Sequence, residues 1–222
     1  GDSSSYTVNL WPMVRKPAPS TDSSGSSSPE PDTVVDNFED GDISEYSGTT
    51  ANAAVQTAVT YQGSNALRFD GNASTTEEIT STTGLDNYPA KGDRFAYYIR
   101  ASTNDAGKDC RTRFGFDTTD TDNTYRVIHE FDGGAIELRK EESNTTTDLA
   151  GGDFNLPADE WCKVVVDYSD TITVDTYDGN GDLLGSISAA DSLAESSKGG
   201  GILLGNFQST GEDVYFDYIE IL

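Results

Sequence analysis

The chain is short of positive charge, of cysteine and of long apolar stretches, and each shortage removes a class of function. Only 14 Lys and Arg stand against 39 Asp and Glu, a net charge of −25 over 222 residues. With no basic stripe to offset phosphate repulsion, nucleic acid is excluded as a partner. No apolar run approaches the roughly 20 residues that a membrane-spanning helix requires, so no membrane span is expected. His129 is the only histidine and no Gly-x-Ser-x-Gly elbow occurs, which argues against Ser-His-Asp chemistry. Cys110 and Cys162 are the only cysteines, and their spacing is not that of a zinc site. A disulfide between adjacent strands and two free core thiols are both compatible with one such pair.

What is present is an acidic coat spread through every segment instead of gathered in a block. Hydrophobic residues make up 34% of the chain, yet Tyr and Phe recur at strand-like spacing, so a folded domain with a lean core is expected. Such a coat suits high salt: at molar ionic strength the Debye length falls to about 3 Å and like charges repel weakly. In dilute buffer the same charges destabilise the compact state.

Residues 6–17 read Tyr-Thr-Val-Asn-Leu-Trp-Pro-Met-Val-Arg-Lys-Pro, an apolar patch followed by two positive charges. Pro12 and Pro17 disfavour a helix and point to an extended peptide. Residues 18–32 are almost entirely Ser, Pro, Gly and Asp, the composition of a linker. The expected organisation is an anchor peptide over 1–17, a linker over 18–32 and a domain over 33–222, with Leu10, Trp11, Met13 and Val14 inserting into a larger assembly. The opening Gly1-Asp2-Ser3-Ser4-Ser5 has neither the charged start nor the apolar stretch of a secretory signal, and removal of either a signal or an initiator Met is the expectation.

From Val34 onward, short alternating runs are divided by turn residues, as in antiparallel sheets. The clearest are 53–60, 65–69, 78–81, 94–101, 111–117, 125–131, 135–140, 161–168, 171–177, 183–188, 201–207 and 214–222. A dozen strands without intervening helices predict an all-β, two-sheet antiparallel sandwich or jelly roll. Single helical turns are expected at 42–46 and near 191–195.

The segments Asp36-Asn37-Phe38-Glu39-Asp40-Gly41-Asp42, Tyr46-Ser47-Gly48 and Tyr61-Gln62-Gly63-Ser64-Asn65-Ala66-Leu67 resemble the start of laminin-G-like and carbohydrate-binding jelly-roll modules, in versions common among halophilic archaea. Trp161-Cys162-Lys163-Val164, Tyr177 to Gly185, Gly200-Gly201-Ile202 and Val214 to Ile219 continue the likeness over nearly all of 34–222. The resemblance implies a lectin-like fold in which first and last strands pair. It also implies a structural calcium held by Glu39, the Gly63 carbonyl and Asp217. Alternation separately places Asp217 beside Tyr215, Ile219 and Ile221, where a carboxylate needs a cation or several hydrogen-bond donors.

Nine of the fourteen basic residues lie between Lys91 and Lys140. Strand alternation turns Phe95, Tyr97, Ile99, Phe114 and Phe116 inward. The same alternation turns Tyr98, Arg100, Arg111, Arg113, Arg126 and Arg139 outward. These six are expected to share one face that binds a surface glycan through bidentate hydrogen bonds, or to form a cross-strand salt-bridge ladder with Glu137 and its neighbours.

Other candidates carry blander readings. Asp178-Gly179-Asn180-Gly181-Asp182 imitates a calcium loop, but Leu183 and Ala189 stand where Gly and Glu are required, so a hairpin turn is expected. The acidic run 117–122 reads as a solvated connection, Asn72 and Asn144 fit the N-glycosylation pattern, and His129 reads as a core residue. Asp213, Asp217 and Glu220 lack the Glu-x-Asp-x-x-Glu pattern of laminarinase-like enzymes, which disfavours catalysis. A tethered apolar peptide on a lectin-like body leads us to expect a non-catalytic surface or adhesion module, such as a fibre, turret or decoration protein on the virion of a virus of halophilic archaea. A secreted or cell-envelope carbohydrate-binding protein is the alternative, a polysaccharide hydrolase or lyase stands behind it, and a homo-oligomer is left open.

Overall fold

Alternation of apolar and polar residues builds the described part of this molecule from strands, with no helix among the described residues. The computed structural model describes residues 33–71, 76–102, 109–116, 123–131, 134–154, 156–193, 200–207 and 213–222. The anchor residues Leu10, Trp11, Met13 and Val14, the linker, Asn72 and the acidic run 117–122 lie outside the described residues.

The early strands are Val34–Asp36 (β1), Ser47–Gly48 (β2), Ala53–Gln56 (β3), Ala66–Phe69 (β4), Glu77–Ser81 (β5), Arg94–Ala101 (β6) and Asp109–Phe114 (β7). They are followed by Thr124–Glu130 (β8), Ala135–Glu142 (β9), Thr145–Asp153 (β10) and Cys162–Tyr168 (β11). Thr171–Tyr177 (β12), Leu183–Ala190 (β13), Ile202–Phe207 (β14) and Val214–Ile221 (β15) complete the set. The first sheet has the order β13-β12-β11-β6-β15-β4-β3, with β1 also pairing β15; the second runs β10-β9-β8-β7-β14-β5-β2. Every pairing is antiparallel. The result is the two-sheet sandwich that the sequence predicts, with the first and last strands paired.

Large rings compensate for the low apolar content. Phe95 and Tyr168 from the first sheet meet Phe114 and Tyr125 from the second, all fully buried. Phe114 lies edge-on to Phe95 at 5.3 Å and to Tyr168 at 5.0 Å, the favoured geometry for aromatic pairs. A buried aromatic side chain removes about 150–250 Å2 from water, so a chain with few hydrophobics still fills its interior.

One expectation changes, one strand is added and one alternative is settled. No helix occurs among the described residues; 42–46 is a turn in which Asp42 Oδ1 accepts the Ser44 N–H at 2.8 Å. β10 went unpredicted because its Thr-Thr-Thr-Asp-Leu-Ala-Gly-Gly-Asp run is an exposed edge with no apolar side to reveal it. Cys110 and Cys162 are buried on different sheets and are not joined by a disulfide, which leaves the second alternative, two core thiols. His129 is a core residue: burial pushes it down to about 3, so it is neutral, edge-on to Tyr97 at 6.4 Å.

Candidate functional site

The outward residues of β6 define the site. Tyr98 pairs in register with Lys163 of β11 on one side and with Asp217 of β15 on the other, and Lys163 pairs with Tyr177 of β12. Tyr177, Lys163, Tyr98 and Asp217 therefore form one row across four strands of the first sheet. Val165 beside that row is short and forms a floor.

Over this row folds the connection from β3 to β4. The Tyr61 ring stacks on Tyr98 with centroids 3.6 Å apart and planes 16° from parallel. Trp161, just before β11, stands edge-on to Tyr61 at 6.2 Å and to Tyr215 at 6.4 Å. Lys163 Nζ lies 5.6 Å from the Tyr98 ring centre, a cation–π contact. The β12–β13 hairpin supplies the far wall with Asp178 and Asn180, and Arg94 closes one end. Together they bound an open cleft of about 510 Å3, within the range of small-molecule sites. Tyr61 is 43% exposed, an unusual state for a ring already stacked on a neighbour.

Two carboxylates hold the connection in place. Asp217 Oδ2 accepts the backbone N–H of Tyr61 at 2.7 Å and of Gln62 at 3.1 Å. Glu39 Oε1 accepts those of Ser64 at 2.7 Å and Asn65 at 2.8 Å. Gly63 turns between them at φ +69°, and a Cβ there would fall 2.4 Å from Glu39 Oε1. Burial raises Asp217 to about 6 against the pull of the Gln62, Tyr61 and Tyr218 amides, and the charge of Glu39 adds to the rise. Its Oδ1 is buried with no hydrogen-bond partner. Glu39, Gly63 and Asp217 thus meet at one corner, and the buried orphan oxygen beside a second carboxylate fits a hard cation with oxygen ligands. A separate exposed cluster, Asp40, Asp42 and Glu45, brings three carboxylates within 4.8 Å of one another.

Two placements differ from the sequence reading. Asp217 faces outward with Tyr215, not inward with Ile219, because a bulge after Asp217 changes the strand's parity; Tyr218 sits there at φ 45°. The expected single basic face is divided between the two sheets. Tyr98 and Arg100 lie on the first sheet, where Arg100 pairs with Asp159. Arg111, Arg113, Arg126 and Arg139 lie on the second. There Arg113 bonds Glu78 and Glu141, each at 3.1 Å, Arg126 bonds Glu141, and Arg139 bonds Glu137 and Asp148. Arg111 reaches Glu78 at 3.9 Å. Four acids balance four arginines, so this face is the salt-bridge ladder.

The 178–182 segment is a hairpin turn: Asp178 Oδ1 accepts the N–H of Asn180 and of Asp182, both at 2.9 Å. Its carboxylate, held low by the Asp182 amide first, serves the turn. Sequence reasoning found Tyr98 but missed Tyr61, Trp161, Lys163 and Tyr177 as its companions. The available signal was an aromatic inside a Gly-Ser turn: Tyr61 has no core within reach there.

No protein-family model and no curated protein matches the sequence. Solved structures do match. The carbohydrate-binding module CBM66 from Bacillus subtilis is 15% identical with a TM-score of 0.53, covering 79% of this chain and 95% of that one. The exoplasmic/lumenal domain of VIP36 in its Ca2+/Man3GlcNAc-bound form is 10% identical with a TM-score of 0.60, covering 87% and 89%. A Bacillus subtilis protein of unknown function with a galectin-like fold is 12% identical with a TM-score of 0.51, covering 80% and 88%. The fold is a lectin-like β-sandwich of the kind seen in carbohydrate-binding jelly-roll and galectin-like modules.

Proposed function

We propose that this chain is a non-catalytic glycan-binding module whose sugar site is the cleft between Tyr61, Tyr98, Trp161 and the 178–181 turn. The observation that carries the reading is the half-exposed Tyr61 ring held over Tyr98 beside Trp161. Sugar rings offer apolar C–H faces that pack on aromatic faces, while their hydroxyls take hydrogen bonds from groups such as Lys163, Tyr177 and Asn180. The fold likeness to carbohydrate-binding modules and a lectin adds support. Catalysis is disfavoured because, among the described residues that line the cleft, Asp178 alone brings a side-chain carboxylate and it is already engaged in its turn, whereas glycoside hydrolysis usually takes two.

Calcium belongs to the same reading, at the corner of Glu39, the Gly63 carbonyl and Asp217. It would neutralise two neighbouring carboxylates and brace the connection behind the cleft. A rise in thermal midpoint on adding calcium, absent from Asp217→Asn, is the expected result; an equal rise in both moves the ion elsewhere. Residues 6–17 attach the module to a larger assembly, which the acidic coat and tethered tail favour as the virion surface of a virus of halophilic archaea, with an extracellular or envelope setting as the alternative.

The test is a titration of Trp161 fluorescence in a Trp11→Phe background, Trp11 being the only other tryptophan. Saturable change with an oligosaccharide, at constant ionic strength, supports the site. Silence across neutral, amino and acidic oligosaccharides overturns it.

A further inference from the structure

The connection 57–65 crosses the sheet without an apolar foot. It leaves the edge strand β3, passes over β4 and β15, and brings Tyr61 to Tyr98 on β6. Neighbouring strands lie about 4.8 Å apart, so the ring is carried roughly 10 Å inward from β4 across an open face. Residues 61–64 are all exposed. What fixes their backbone is polar. Gln56 Oε1 accepts the N–H of Ala58 and Val59 at the start of the connection. Asp217 and Glu39 then take the next four bonds, two each, on either side of Gly63. The stacking contact with Tyr98 sits at the far end of this arrangement, so the position of the ring follows the position of the backbone beneath it.

We infer that Asp217 and Glu39 are positioning residues for sugar binding: resting on the cleft reading above, the two carboxylates set glycan affinity by clamping the backbone that carries Tyr61. Neither carboxylate needs to reach the ligand. Asp217 lies fully buried beneath the connection, and neither carboxylate is among the residues that line the cleft. Four N–H groups bonded to ionised oxygens form stronger bonds than four bonded to water or to neutral acceptors, and they fix the backbone of a segment whose ring contacts are those of Tyr61 with Tyr98 and Trp161. Loosening the segment makes the ligand order it on binding, and affinity falls by that cost.

A double-mutant cycle on the full chain tests this. Asp217→Asn keeps an acceptor oxygen and the side-chain shape, and Glu39→Gln does the same at the second clamp. Each is expected to weaken the oligosaccharide found by fluorescence titration about fivefold to tenfold in the parent background, and to have almost no effect once Tyr61→Ala has removed the ring. Hydrogen exchange supplies a readout without ligand: the Tyr61, Gln62, Ser64 and Asn65 amides are expected to be protected in the parent and to lose protection in pairs, the first pair in Asp217→Asn and the second in Glu39→Gln. Equal weakening with and without the Tyr61 ring overturns the inference and leaves the cleft standing. Unchanged affinity in both variants does the same. Failure of the parent to bind any oligosaccharide overturns the cleft reading and this inference with it.

Discussion

Phe216 and Ile219 both enter the core although they stand three positions apart, an impossible pairing in a regular strand. Two residues, Tyr218 and Ile219, stand where β6 offers one, between the Asp217–Tyr98 and Glu220–Ala96 pairs. The inserted residue turns Asp217 outward beneath Tyr61 while Ile219 and Ile221 remain packed with the core. The bulge is what brings a buried carboxylate to the back of the cleft.

Tyr218 pays for that geometry with φ 45°, a region in which side chains are strained. Truncating the ring to Ala and to Gly should therefore invert the usual order of stability. Urea denaturation is expected to find Tyr218→Gly more stable than Tyr218→Ala by about 1 kcal/mol. The opposite order would remove the strain from the account.

Asp36 gives the fold a pH dependence. Burial raises its carboxyl to about 6, Asp40 and Glu45 add to the rise, and bonds from the Tyr46 hydroxyl at 2.7 Å and the Phe38 N–H at 2.8 Å oppose it. A carboxyl raised in the folded state binds its proton more tightly there than in the unfolded chain. Its contribution is complete below the ordinary carboxylate range and is lost as pH rises through about 6. Between pH 5 and 7, the thermal midpoint of Asp36→Asn should fall less steeply than that of the parent; parallel profiles would contradict this.

The ladder on the second sheet separates two kinds of ion pair. Glu141 serves Arg113 and Arg126, whose side chains are only 14% and 10% exposed, so Glu141→Gln leaves two covered guanidinium groups short of a partner. A loss of about 1–3 kcal/mol is expected in urea denaturation. Asp159, the partner of Arg100, is 73% exposed, and Asp159→Asn should change stability by less than about 0.5 kcal/mol.

Much of the fold was legible because alternation survives wherever a strand has one dry side. β6 reads as expected: Phe95, Tyr97 and Ile99 are buried in the core, and Tyr98 and Arg100 point away from it. β10 was invisible because neither of its sides is dry. The site was half legible. Tyr98 could be placed outward from its own strand, but its companions come from a loop, a strand end and a hairpin, and nothing local says that β6 and β7 part company into different sheets. Asp217 was singled out correctly as a carboxylate needing partners, yet its direction was misread, since a bulge leaves no mark in a run such as Tyr-Phe-Asp-Tyr-Ile.

The acidic surface makes a salt prediction. With a net charge of −25, self-repulsion acts over about 10 Å at 0.1 M salt and over about 3 Å at 1 M. The thermal midpoint should climb steeply with sodium chloride up to molar concentration. A flat response would show that the charges are too well spaced or too well paired to matter.

The central claim is that the Tyr61–Tyr98–Trp161 cleft binds glycan, and a glycan array probed in parallel with the parent and Trp161→Ala tests it most directly. Trp161 is only partly buried at the cleft rim, so its loss should leave the thermal midpoint nearly unchanged. The account predicts that the parent binds a restricted set of glycans and that the variant binds the same set at least about tenfold more weakly. Equal binding by both proteins, or none by the parent, would contradict it.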